Sequence, residues 1–237
     1  MNNRIQHIRK LATDLTHHIE VYHVFAYCFV VLSVHTLAIL PFRTAFPIAI
    51  LFLACARYHF ILAREVKRRR ERLQVGLDAE AGVHEMLLKQ LPPGWLIESN
   101  VLVPHRGDVD VFVTSPSNKF YAIEVKSHQT EVLFDGRKLR RGNGGTFEKD
   151  FLRQAIGGAV ALRRMRKLSY VNALLVFTRA TLSLADNQIG HVKVLRSEEL
   201  AEHLVSQERR GTTPKIDRDM RGPQSHSSIL GALTKTR

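Results

Sequence analysis

Cysteine is scarce in this chain: its 237 residues include only two, Cys28 and Cys55. That number excludes a disulfide framework and a cysteine-rich zinc module. The 14 glycines and 8 prolines are too few for a collagen-like or low-complexity protein. With 45% hydrophobic and 24% charged residues, the composition also excludes a disordered protein. The length allows one domain with an appendage, or two small domains.

Acidic residues are in the minority, since 22 Asp and Glu against 35 Lys and Arg give a net charge of +13. Such an excess is typical of proteins that bind nucleic acid or anionic membranes. The positive charge is unevenly distributed: residues 64–72 carry six basic and two acidic residues, and residues 206–237 carry seven and three. Most of the excess therefore lies outside the part of the sequence that is patterned like a globular domain.

Charge is almost absent from two long apolar runs near the N-terminus. Residues 21–40 contain sixteen apolar residues of twenty and no charge, and residues 44–63 contain sixteen of twenty with Arg57 as the one charge. Twenty residues rise about 30 Å as a helix, which is the thickness of the hydrocarbon core of a bilayer. The link at residues 41–43 can only reverse the chain. Residues 21–63 are therefore predicted to form a transmembrane helix hairpin.

The distribution of Lys and Arg predicts the orientation of this hairpin. Basic residues lie in the N-terminal segment, residues 1–20, and in the juxtamembrane segment, residues 64–72, whereas the turn offers only Arg43. Both ends are therefore expected in the cytoplasm, with the protein multi-pass in the inner membrane. Residues 64–72 are expected to lie against anionic headgroups. A signal peptide and a pair of buried helices in a soluble domain are the alternatives.

The pattern changes at Leu73, where a soluble α/β domain is predicted over residues 73–205. Amphipathic helices alternate with short β-branched runs, and this favours a mixed sheet flanked by helices. Residues 206–237 are polar and basic and are predicted to be a disordered tail. The predicted helices are residues 76–91, 150–168 and 197–205, and the predicted strands are residues 95–103, 109–113, 120–126, 131–135, 173–178 and 192–195.

Two neighbouring strands carry acidic residues inside apolar runs. Asp110 interrupts the sequence VDVFV, and Glu124 and Lys126 lie two apart in FYAIEVK, so both project from one face of their strand. A turn joining the strands can bring Asp110 beside Glu124. Buried carboxylates are costly unless they are paired or bind a metal. A hard divalent cation suits such a site, because Mg²⁺ needs few protein ligands besides water and phosphate oxygens.

The Asp-x₁₃-Glu-x-Lys pattern resembles the PD-(D/E)xK nuclease superfamily, and its details resemble the nuclease-related (NERD) branch. The similar segments are Gly76-Leu-Asp-Ala-Glu80, Gly107-Asp-Val-Asp110, Ala122-Ile-Glu-Val-Lys-Ser127 and Phe151-Leu-Arg-Gln154. The resemblance implies a restriction-endonuclease-like sheet and a Mg²⁺ or Mn²⁺ cofactor. It also implies these roles: Asp110, Glu124 and the Val125 carbonyl as metal ligands, Lys126 as the catalytic lysine, Glu80 as an auxiliary acid, and Gln154 as an orienting residue.

These features together predict a membrane-anchored, metal-dependent nuclease. Its partner would be nucleic acid, with DNA favoured over RNA. The basic cluster Arg137, Lys138, Arg140 and Arg141 could bind phosphates without reading sequence. The alternatives are a catalytically inactive module that tethers nucleic acid or a partner to the membrane, and an acid–Lys126 pair with a purely structural role.

Overall fold

The structure is a computed structural model that describes residues 3–104 and 107–212; the predicted tail beyond residue 212 lies outside the described residues. It contains four helices and nine strands within these ranges. The helices are α1 (Asn3–Ile39), α2 (Phe42–Gln90), α3 (Phe151–Met165) and α4 (Ser197–Thr212). The strands are β1 (Leu96–Val103), β2 (Gly107–Thr114), β3 (Phe120–Lys126), β4 (Glu131–Phe134), β5 (Leu139–Arg141), β6 (Asn172–Phe177), β7 (Thr181–Ser183), β8 (Gln188–Ile189) and β9 (Val192–Arg196).

Helices α1 and α2 form an antiparallel pair with small residues along the seam between them. Ser33 is buried in this seam and donates a hydrogen bond from its Oγ to the carbonyl oxygen of Ala49, at 3.2 Å. Small residues let two helices approach closely, which is how helices associate in lipid. Both helices are long and apolar enough to cross a membrane, α1 over Lys10–Ile39. The buried alanines of α2 in this region are Ala45, Ala49, Ala56 and Ala63.

Helix α2 is continuous from the apolar hairpin into the α/β domain. Its 49 residues are about 73 Å long, and they include residues 64–72 and the opening helix of the domain without a break. This differs from the separate segments expected from the sequence. No proline lies between Pro47 and Pro92, and the two glycines in this stretch, Gly76 and Gly82, are tolerated inside a helix at a cost of about 1 kcal/mol each.

The α/β domain is built on a six-stranded mixed sheet in the order β1-β2-β3-β6-β9-β8. Strands β1, β2 and β3 form an antiparallel meander, whereas β3, β6 and β9 run parallel to one another. Helix α3 provides the crossover before β6. A small second sheet has the order β5-β4-β7. The predicted mixed sheet flanked by helices, preceded by two apolar helices, is confirmed.

The two faces of the large sheet pack against different helices. Ile123 and Val125 of β3 face a core that includes Val83 and Leu87 of α2 and residues of α4. Ala122 of β3 faces a second core that includes α3. Because side chains alternate along a strand, Glu124 and Lys126 lie on the α3 face.

Leu87 provides a test that the C-terminal half of α2 belongs to the core of the domain. Leu87 is fully buried against the sheet, whereas its neighbour Leu88 is 60% exposed. We expect Leu87→Ala to cost about 3 kcal/mol of stability and to lower the melting temperature by roughly 6–12 °C. Leu88→Ala should lie close to wild type in the same thermal melt. Equal melting temperatures for both variants would contradict the packing.

Helix α4 continues to Thr212, beyond the end predicted at residue 205, so residues 206–212 are helical rather than part of a disordered tail. The reason is tertiary: Glu208 accepts hydrogen bonds from the backbone N–H and the hydroxyl of Ser117, at 2.8 and 2.7 Å. Lys119 donates to the carbonyl oxygen of Gln207, at 2.5 Å. These contacts hold the last turns of α4 against the turn between β2 and β3.

Candidate active site

Asp110 and Glu124 are two buried carboxylates on adjacent antiparallel strands. Strands β2 and β3 pair with Val111 opposite Ile123, which brings Asp110 to the side of β3 where Glu124 lies. The Oδ2 atom of Asp110 accepts a hydrogen bond from the backbone N–H of Val125, at 2.8 Å. The exposed fractions of Asp110 and Glu124 are 4% and 6%. The Asp110 side chain is therefore fixed next to the Glu-x-Lys segment.

The Oε1 atom of Glu124 accepts from two donors. Lys126 Nζ donates over 2.5 Å and Gln154 Nε2 donates over 2.6 Å. Gln154 lies in the first turn of α3, whose start is fixed by Asp150, since the Asp150 side chain caps the helix by accepting from the backbone N–H of Arg153. The structure thus brings Asp110, Glu124, Lys126 and Gln154 together at one place on the α3 face.

Aromatic rings hold Lys126 in position. Its ammonium lies 5.0 Å from the ring centroid of Phe151, a cation–π geometry. The Phe151 ring stacks on the His128 ring with centroids 5.3 Å apart. Burial lowers the pKa of His128, and the nearby cations Arg141 and Lys126 lower this pKa further. His128 is therefore neutral at neutral pH and adds no charge to the site.

Lys126 lines a cleft of about 820 Å³, which we call the basic cleft. Residues of α2 and of the β5–α3 loop line the cleft, together with Arg179, which follows the end of β6. The carboxyl ends of parallel strands such as β3 and β6 commonly border a ligand site in α/β sheets. Six basic and two acidic side chains line the basic cleft: Arg68, Arg72, Lys126, Arg141, Lys149 and Arg179, with Glu71 and Glu148.

Comparison with known families gives a match that covers this region. Residues 75–178 match the family model of the nuclease-related domain, NERD. Residues 75–178, which we call the NERD domain, are therefore similar to this family. No curated protein and no solved structure matches the chain. The match begins within α2 and ends just after β6, so it contains Glu80 as well as the Asp110–Glu124–Lys126–Gln154 cluster.

The predicted phosphate-binding cluster is divided by the fold of the NERD domain. Arg141 lines the basic cleft, and its guanidinium lies 5.4 Å from the ring centroid of Phe147. Arg140 instead forms an ion pair with Asp135, with 2.6 Å between Nε and Oδ2. Arg137 and Lys138 lie in the exposed turn before β5, where both backbone N–H groups donate to Asp135. Of these four described side chains, Arg141 alone borders the cleft.

Glu80 lies on α2, half-buried, one turn before the core residue Val83. This position is on the side of the domain where α2 packs, whereas Asp110 and Glu124 project toward α3. Among residues 3–104 and 107–212, no group of three or more His, Cys, Asp or Glu side chains is arranged to hold a metal ion.

Sequence reasoning missed four residues that line the basic cleft: Arg68, Arg72, Lys149 and Arg179. The sequence assigned Arg68 and Arg72 to lipid headgroups because they follow an apolar run. A usable signal was present, since residues 68, 71, 72 and 75 have the i, i+3, i+4, i+7 spacing of one helical face. Lys149 and Arg179 carry no comparable signal, because loops bring them to the cleft.

Proposed function

We propose that this protein is a divalent-metal-dependent nuclease of the PD-(D/E)xK type. The observation that carries the proposal is the cluster in which Glu124 accepts from Lys126 and Gln154 beside the buried Asp110. Lys126 of this cluster lines the basic cleft, whose charged side chains are mostly basic. A buried acid pair, a lysine and a basic cleft are the groups that metal-assisted hydrolysis of a phosphodiester requires.

The residues fit a magnesium or manganese ion. Two buried carboxylates on adjacent strands match the preference of Mg²⁺ for one or two protein carboxylates, with water and substrate phosphates completing its shell. Asp110, Glu124 and the Val125 carbonyl would hold the ion. A divalent cation held there would lower the pKa of a bound water and would stabilise negative charge on the phosphate and on the leaving oxygen.

Lys126 and Gln154 are proposed to position the reacting groups. Lys126 contacts both Glu124 and the basic cleft, so its ammonium can donate to a phosphate oxygen or to the attacking water and stabilise the developing negative charge. The Phe151 ring restricts where that ammonium can move. Gln154 donates to Glu124 and so fixes the orientation of the carboxylate. We propose that Glu80 is an auxiliary acid, and this role rests only on the resemblance to the NERD family.

The same cluster also supports a second candidate, an inactive NERD module that tethers nucleic acid. The bonds from Lys126 and Gln154 to Glu124 are those that a buried carboxylate needs when it has only a structural role. The net positive charge of the basic cleft supports binding of a phosphate backbone in both cases. For either candidate we propose nucleic acid as the partner, with DNA favoured over RNA.

A cleavage assay on the full chain separates the two candidates. The protein in detergent micelles is incubated with plasmid, single-stranded DNA and RNA, with Mg²⁺, with Mn²⁺ or with EDTA. A nuclease is expected to cleave at least one substrate with metal and none with EDTA. Binding without cleavage of any substrate under every metal condition would favour the tethering module.

Helices α1 and α2 are proposed to anchor the protein in the inner membrane with both ends in the cytoplasm. Their apolar surfaces and the flanking Lys and Arg residues support this orientation. Exposed large apolar side chains cover the outside of the hairpin, among them Val24, Phe25, Tyr27, Val31, Val34, Phe42, Phe46, Ile50, Leu51, Leu53 and Ile61.

Cysteine labelling tests this topology in bacterial cells. In a chain without Cys28 and Cys55, Arg43→Cys marks the turn of the hairpin and Glu202→Cys marks the exposed surface of α4. We expect a membrane-impermeant maleimide to label Arg43→Cys in intact cells, but to label Glu202→Cys only after lysis. Labelling of Glu202→Cys in intact cells would contradict a cytoplasmic NERD domain.

A further inference from the structure

Helix α2 contributes a face to the basic cleft before the NERD domain begins. Arg68, Glu71, Arg72 and Val75 line the cleft together with Lys126. Their spacing of three, four and seven residues places them on one side of the helix. The family match starts at residue 75, so Arg68 and Arg72 lie outside it. One wall of the cleft therefore comes from the segment that connects the domain to the apolar hairpin.

We propose that this face of α2 is part of the nucleic-acid-binding surface, and that Arg68 and Arg72 contact phosphates of the bound strand. The inference rests on the proposed function for the class of ligand. It goes further because it assigns binding residues to a helix that the NERD domain does not include.

Other elements that line the cleft supply charges of the same sign. Arg141 lies in β5, Lys149 in the β5–α3 loop and Arg179 just after β6, so cations from several elements line the same cleft as Lys126. The Nε atom of Arg141 is buried and has no hydrogen-bond partner within the part of the chain that the structure describes. Cations that line one cleft repel one another, and a phosphate chain bound in the cleft relieves that repulsion.

The continuous helix also sets the distance between this surface and the apolar hairpin. Arg68 lies five residues, about 8 Å, beyond Ala63, where the apolar run ends. No flexible linker separates them, since α2 is helical throughout. If the hairpin is in the membrane, the nucleic acid is therefore held close to the membrane surface.

Two double variants with equal charge change test the proposal. Arg68→Gln/Arg72→Gln removes the two cations on the cleft face, and Arg69→Gln/Arg70→Gln removes two exposed cations that do not line the cleft. Gln has nearly the helix propensity of Arg, so the helix should persist in both. The full chain is placed in neutral phosphatidylcholine nanodiscs, and binding of a fluorescein-labelled 30-nucleotide DNA is measured by anisotropy in EDTA.

We expect the cleft-face variant to raise Kd about tenfold and to reduce the slope of log Kd against log salt concentration by about 1.4–1.8, as for two lost phosphate contacts. The Arg69→Gln/Arg70→Gln protein should stay within about twofold of wild type. The difference between the variants should persist in nanodiscs that contain anionic phosphatidylglycerol.

Equal losses of affinity for both variants would overturn the proposal, because Arg68 and Arg72 would then act only through net charge or through lipid headgroups. No loss for either variant would also overturn it, because Arg68 and Arg72 would then not contribute to DNA binding. The readout is independent of cleavage. A wild-type protein that binds DNA through these residues but never cleaves it would contradict the nuclease proposal and leave this inference standing. Absence of DNA and RNA binding by the wild-type chain would overturn both.

Discussion

Glu124→Gln protein is expected to lose metal-dependent cleavage by at least about a thousandfold. The change removes a negative charge from one of two proposed carboxylate ligands, and a metal bound there contributes several kcal/mol to transition-state stabilisation. A loss of about 4 kcal/mol corresponds to a thousandfold in rate, since each 1.36 kcal/mol is tenfold. Single-turnover cleavage of plasmid with Mg²⁺ measures the rate, and titration with Mn²⁺ measures the weaker metal binding.

The fold should survive this substitution, because a glutamine carbonyl can still accept from Gln154 and Lys126. Glu202→Gln is the matched control, since Glu202 is exposed on α4, and its cleavage rate should equal that of wild type. Asp110→Asn should reproduce the loss seen with Glu124→Gln. If folded Glu124→Gln protein cleaves at the wild-type rate, the nuclease site does not lie on these strands.

Strands β2 and β3 were predictable because their apolar residues are continuous and the turn residues between them are distinctive. The predicted range of β3, residues 120–126, agrees with the structure, and the common face of Glu124 and Lys126 follows from strand alternation alone. Short strands such as β5 and β7 were not predicted. Three residues carry too little pattern, and these strands exist because they pair with β4 in the second sheet.

Helix α2 shows how a change of environment can resemble a change of structure. Its sequence is apolar up to Ala63, strongly basic over residues 64–72 and amphipathic afterwards. These shifts reflect what surrounds each part of the helix, and no proline interrupts the helix between Pro47 and its end at Gln90. A fragment beginning at residue 73 would therefore cut α2 in mid-helix and remove Arg68 and Arg72 from the basic cleft.

The contacts within the cluster around Glu124 depend on tertiary structure, which sequence patterns alone do not predict. Gln154 is 30 residues from Glu124 in sequence, and their contact requires α3 to pack on the sheet in one register. The NERD resemblance supplied Gln154 as a candidate, but its hydrogen bond to Glu124 came from the structure. The pairing of Arg140 with Asp135 likewise depends on the turn before β5 and could not be foreseen from the basic cluster.

Lys126→Met protein is expected to lose cleavage by about a thousandfold while keeping Mn²⁺ affinity within a few-fold of wild type. Methionine preserves an unbranched side chain against the Phe151 ring but lacks the ammonium, which is not a metal ligand. Loss of a positioned donor to the reacting phosphate typically costs a hundred- to a thousandfold.

Lys149→Met is the matched control, since Lys149 lines the same cleft and the substitution changes the charge equally. If Lys126 acts on the reacting phosphate, Lys149→Met should weaken DNA binding a few-fold and leave the single-turnover rate at saturating enzyme unchanged. If Lys126 serves only to attract the phosphate backbone, the two variants should lose affinity alike and both should cleave at the wild-type rate once saturated. Comparing the DNA affinity and the single-turnover cleavage rate of the two variants therefore decides whether Lys126 takes part in the chemistry or only contributes to the positive charge of the cleft.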